Sequence, residues 1–76
     1  MGPELLVECD GRHVTVDCSP ADRICFASNL AWAPHRCLHE KGMTHAEYDA
    51  VNGEKWLRVE INTPDGDAWS NIIRFN

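Results

Sequence analysis

The 76-residue sequence predicts a small single-domain α+β fold: two β-hairpins forming a four-stranded antiparallel sheet, with a short helical middle segment packed on one face. Three observations carry that expectation. Stretches near each end, Glu4 to Cys18 and Lys55 to Phe75, alternate apolar and polar residues around a tight-turn signal. The stretch between them holds helix-start signals at Ser19 and Thr44. An isolated hairpin is marginal in water, so the economical arrangement joins the two and covers their apolar face.

The C-terminal hairpin is the clearest element. Pro64-Asp65-Gly66 has the chemistry of a three-residue loop, with proline presetting the first turn position and glycine taking the left-handed one. That loop makes Thr63 and Asp67 the closing pair. It sets Ile61 opposite Trp69, Val59 opposite Asn71, Leu57 opposite Ile73 and Lys55 opposite Phe75, a nearly all-apolar face. A two-residue Asp-Gly turn would place Arg74 and Ser70 beside Leu57 and Ile61 and mix the faces. The other face carries Trp56, Arg58, Glu60 and Asn62 against Arg74, Ile72, Ser70 and Ala68, with Trp56 directly across from Arg74. Arginine over an exposed indole contributes about 0.5–1 kcal/mol. Trp56, Arg58, Ile72 and Arg74 are therefore the candidate partner-binding residues, a composition enriched at interface hot spots. The plainer alternative is that Trp56 and Ile72 fill space beneath a loop or helix.

In the N-terminal hairpin, Asp10-Gly11 reads as a two-residue turn, with Cys9 facing Arg12, Val7 facing Val14 and Leu5 facing Val16. Leu5, Val7, Cys9, Val14, Val16 and Cys18 form one apolar face, while Glu8, His13, Thr15 and Asp17 point the other way. Cys9 and Cys18 fall at opposite ends of this hairpin, too far apart to bridge.

Ser19-Pro20-Ala21-Asp22 reads as a helix start, with serine as N-cap and proline at the first helical position, opening a helix to about Trp32. Ile24, Phe26, Leu30 and Trp32 also alternate in a strand pattern, but three alanines and the Ser-Pro start favour helix. Pro34 ends it or begins a second segment to Lys41, capped by Gly42. Thr44 and Glu47 have capping-box spacing, for a short helix from His45 to Val51 that buries Ala46, Ala50 and Val51 and stops at Asn52-Gly53.

A chain this short holds one core and no second domain. A net charge of −5 with scattered lysines and arginines argues against nucleic acid as a partner and suits a basic protein surface. No apolar run is long enough to cross a membrane, and Met-Gly-Pro-Glu-Leu-Leu resembles neither a signal peptide nor a myristoylation site. The expected location is cytoplasmic. Cys9, Cys18, Cys25 and Cys37 then read as thiols or metal ligands rather than a disulfide framework.

No cofactor is expected. If a metal binds, the ligands come from Cys18, Cys25, Cys37, His35 and His39; the two histidines, four apart, would share a helix face. No Cys-x2-Cys knuckle supports zinc, and buried core cysteine is the plainer reading. Cys37 beside His35 or His39 could form a nucleophilic pair, but a core this small rarely supplies the pocket and oxyanion hole, so no enzyme is expected. Asp65-Gly66-Asp67 lacks the remaining acids of a calcium loop.

The expected function is a non-enzymatic, small acidic protein-binding module that inhibits or modulates a larger intracellular protein. Small acidic chains of this kind are often phage or mobile-element products aimed at host machinery. The alternatives are a zinc-stapled domain that binds protein or nucleic acid, and an acidic mimic of nucleic acid built on Glu4, Glu8, Asp10, Asp17, Asp22, Glu40, Glu47, Asp49 and Glu54. An exposed hairpin edge also leaves a homodimer open.

Overall fold

The computed structural model describes residues 3–30 and 36–75. Six strands fill most of that length: β1 (Leu5–Asp10), β2 (His13–Ser28), β3 (Cys37–Asp49), β4 (Trp56–Thr63), β5 (Gly66–Trp69) and β6 (Ile73–Arg74). Among the described residues there is no α-helix, so the α+β expectation is corrected to a curled antiparallel sheet. β2 is the spine. β3 runs along one side of it, while β1 pairs with its first half and β4 with its second half on the other side. β5 and β6 continue outward from β4.

The helical middle fails for identifiable reasons. Ser19 caps no helix: its hydroxyl accepts the Glu4 amide at 2.8 Å and its amide donates to the Glu4 carbonyl at 3.0 Å, extending the β1–β2 ladder. Pro20, which cannot donate to a ladder, falls where the β2–β3 register shifts between Asp17 and Ala21. A second shift between Ala21 and Arg23 restores the register on the β3 side, where Gly42 adopts φ +74°. Beyond the bulges the strand pattern prevails, and Ile24 and Phe26 go into the core. Residues 31–35, the end of the first expected helix and the start of the second, lie outside the described residues. The third expected helix is the tail of β3. His45, Glu47 and Asp49 are exposed while Ala46, Tyr48 and Ala50 are buried, a strict period of two that a capping-box spacing cannot override. Asn52 and Gly53 form the turn into β4 instead of a helix stop.

Both hairpins form, each in a different register from that expected. The first turns at Gly11-Arg12, with Gly11 at φ +62°, and pairs Cys9 with Val14, Val7 with Val16 and Leu5 with Cys18. The slip of two residues preserves the faces, so the expected apolar set stays together. The second turns at Pro64-Asp65, so that Thr63 pairs with Gly66, Ile61 with Ala68 and Glu60 with Trp69. One extra residue near Ser70 then brings Leu57 opposite Ile73 and Trp56 opposite Arg74, as expected. At this bulge the Ser70 amide donates to the Val59 carbonyl at 2.8 Å, and its hydroxyl accepts the Val59 amide at 2.9 Å.

The core lies on one face of the curled sheet: Val14 and Val16, Ile24 and Phe26, Leu57, Val59 and Ile61, with Ala46 and Tyr48 from β3. Phe26 stacks on Tyr48, ring centroids 4.9 Å apart.

Candidate protein-binding face

The even-numbered residues of β4 turn away from the core and build the outer face. Trp56 is half-buried and pairs across the strands with Arg74, which is exposed. Arg58 extends along the strand and donates from Nη2 to Glu60 Oε1 at 2.9 Å. Its Nε is buried and has no hydrogen-bond partner among the described residues. Ile72, between β5 and β6, is 48% exposed. Of the four expected residues, Trp56 and Arg74 are cross-strand partners and Arg58 follows on β4, while Ile72 lies between β5 and β6 and lines a cleft against β1.

The register difference adds a residue to them. Trp69 was expected opposite Ile61 in the core. Pairing with Glu60 instead sends it to the outer face, where it is 65% exposed, the largest such value among the exposed large hydrophobics. An arginine–aromatic contact forms elsewhere: the Arg12 guanidinium lies 5.1 Å from the Phe75 ring centroid. Arg12 also donates from Nη1 to the Val51 and Glu54 carbonyls, tying the β3–β4 turn to the chain end.

Among the described residues, those proposed for zinc are not gathered into one site. Cys25 and Cys37 sit opposite each other on β2 and β3 and form a disulfide, which corrects the expectation of thiols or metal ligands at these positions. The same bond occupies the sulfur of the nucleophile considered at Cys37. Cys18 is free, with burial pushing its thiol pKa up, and its Sγ lies 3.8 Å from the Met43 carbonyl oxygen. His39 is opposite Arg23, and His35 lies outside the described residues. Among the described residues no group of three or more histidine, cysteine or acidic side chains is arranged to hold a metal ion.

The sequence reading missed two clusters. On the exposed face of β2 and β3, carboxylates and imidazoles alternate. His13 Nδ1 meets Asp49 at 2.5 Å and its Nε2 meets Glu47 at 2.7 Å. His45 Nδ1 meets Asp17 at 2.9 Å and its Nε2 meets the other Glu47 oxygen at 3.2 Å. A neutral imidazole has one donor, so two carboxylate partners on each ring select the doubly protonated form. Hydrogen bonds to Asp49, then Glu47, raise the His13 pKa; hydrogen bonds to Asp17, then Glu47, raise that of His45. The same bonds, from His45 first, lower Glu47. The strand alternation from His45 to Ala50 was the available signal. These alternating acids and imidazoles lie open to solvent.

Its stability linkage has a definite sign. Because the folded pKa values exceed the ordinary 6.5, the histidines stabilise the fold fully below pH 6.5 and lose that contribution as pH rises through the folded values. Proton NMR titration should place both imidazoles above 6.5, and thermal melting should fall on the alkaline side. Titration at or below 6.5 would refute the pairing.

The second cluster is buried. Glu54, 0% exposed, accepts from the Tyr48 hydroxyl at 2.6 Å and the Val51 amide at 3.0 Å. Its other oxygen lies 3.7 Å from Arg36 Nε. Burial pushes the Glu54 carboxyl up, but the Tyr48, Val51 and Ser28 hydrogen bonds and the Arg36 charge outweigh it and hold the pKa below its ordinary value. The clamp fixes the turn that delivers Trp56 to the outer face. Nothing in the sequence distinguishes Glu54 from the surface acids.

No helix among the described residues is long and apolar enough to cross a membrane. The chain matches no protein-family model, no curated protein and no solved structure.

Proposed function

We propose that the chain is a non-enzymatic protein-binding module that docks on a larger protein through Trp56, Arg58, Trp69 and Arg74, with Ile72 at the border, and inhibits or modulates that protein. The observation that carries this reading is the exposure of Trp69 on the face where Trp56 and Arg74 pair across the strands. Tryptophan and arginine supply large contact areas and dominate interface energetics. The acidic surface favours a basic partner. The reading places the module in the cytoplasm. Disulfides persist mainly in oxidising compartments, and the Cys25–Cys37 bond is the observation that bears against that location.

The test is the double variant Trp56→Ala/Arg74→Ala. Loss of hot-spot side chains should weaken partner binding by about 2 kcal/mol or more, roughly thirtyfold, with little change in melting temperature. Unchanged binding and unchanged stability would discard the face.

A further inference from the structure

A second surface is open for binding on β1. Its bonds to β2 use the even-numbered residues: the Glu4 carbonyl accepts the Ser19 amide, and Asp10 pairs with His13 at the turn. The amides and carbonyls of Leu5, Val7 and Cys9 therefore point away from β2. Among the described residues no strand pairs with them. Beyond this edge the curled sheet stays open. A cleft of about 420 Å³ separates β1 from the segment between β5 and β6, lined by Leu5, Val7, Cys9, Trp69, Ile72 and Ile73.

The charges around the edge select its occupant. Leu5 and Val7 pack against the core, while Glu4, Glu8 and Asp10 are exposed on the other face. None of these three acids forms an ion pair among the described residues, whereas Asp17, Glu47 and Asp49 are engaged by His13 and His45. A second copy pairing antiparallel about Val7 would set Glu4 against Asp10 and Leu6 against Glu8. Acids directly opposite destabilise a strand pair, so self-pairing is disfavoured. A strand with apolar side chains toward the cleft and lysine or arginine on the other face matches both sides.

We propose that the free edge of β1 takes up an extended segment of a partner protein, alternating apolar and basic residues, as an added antiparallel strand along the cleft. Main-chain bonds supply the affinity in this mode, and the alternating side chains supply the selectivity. The cleft shares Trp69 and Ile72 with the tryptophan–arginine face but not Trp56, Arg58 or Arg74, so the Trp56→Ala/Arg74→Ala variant tests the two proposals apart.

The probe is a blocked nine-residue peptide alternating valine and lysine, titrated into the intact protein by calorimetry and amide NMR. Binding should be saturable. It should protect the Leu5, Val7 and Cys9 amides from exchange and leave those of Leu6, Glu8 and Asp10 as they were. A charge-swapped valine–glutamate peptide, and one with the same lysines in a block, should each bind at least roughly tenfold more weakly. Val7→Pro removes an outward-facing donor without touching the β1–β2 ladder and should weaken binding by a similar factor. Should that variant fail to fold, methylating the edge-facing amides of the peptide makes the same test on the unaltered protein. Trp56→Ala/Arg74→Ala should bind the peptide normally. No protection at Leu5, Val7 and Cys9, equal affinity for the swapped or blocked peptide, or a dimer formed through β1 would each overturn the proposal.

Discussion

Glu54→Ala is expected to destabilise the protein by about 3–5 kcal/mol, the cost of breaking a buried ion pair by removing one partner. The carboxylate does several things at once. It accepts the Tyr48 hydroxyl and the Val51 amide and faces Arg36, itself only 6% exposed. Removing it takes this acceptor from the Tyr48 hydroxyl and the Val51 amide and the carboxylate from beside Arg36, which still donates to the Tyr48 hydroxyl and the Leu30 carbonyl. A domain of this size has a total stability on the order of 4–11 kcal/mol, so the loss is a large fraction of the total. Glu54→Gln keeps an acceptor for Tyr48 and Val51 and loses only the charge, so its midpoint in urea should fall between alanine and wild type. The pH dependence follows from the lowered pKa: the clamp is intact above the ordinary value of 4.5 and is lost as pH falls through the folded value. A loss below about 1 kcal/mol in Glu54→Ala would refute the clamp.

Phe26→Ala should cost a similar amount, about 3–5 kcal/mol, through lost burial and the cavity left behind. Phe26 is 2% exposed, pairs with Val59 on β4 and stacks on Tyr48 of β3. It is one of the side chains through which the central strand meets both neighbours. Phe26→Leu retains most of the volume and should lose much less. The substitution tests the sheet, because Phe26 of β2 contacts residues on both strands that flank it. Amide exchange in Phe26→Ala should therefore rise in β3 and β4 together. A rise confined to residues near Phe26 in sequence would contradict the sheet.

Much of the sheet was legible from local pattern. Both hairpins, the apolar face of the first, and the pairs Leu57–Ile73 and Trp56–Arg74 follow from alternation and turn residues. What was not legible depended on distant partners. Ser19 and Pro20 look like a helix start because the signal is local; the Glu4 backbone that claims Ser19 is fifteen residues away. Gly42 and the residues around Pro20 provide opposite register shifts, and each makes sense only once β2 and β3 are paired. The same holds for the site. Trp69 reaches the outer face because a turn at Pro64-Asp65 and a bulge at Ser70 offset each other, and a register drawn without the bulge puts it in the core. The Cys25–Cys37 bond likewise needs the β2–β3 register, since twelve residues of separation specify no partner.

The most direct test of a docking face is to place a photoreactive side chain at position 69 and at Lys41, which is exposed on β3 away from β4, and to illuminate each in an extract of the producing cells. The account predicts one discrete crosslinked protein from position 69, absent from Lys41 and abolished when Trp56→Ala/Arg74→Ala is added. Crosslinks that are diffuse, equal from both positions or indifferent to the double substitution would contradict the claim that this face binds a partner.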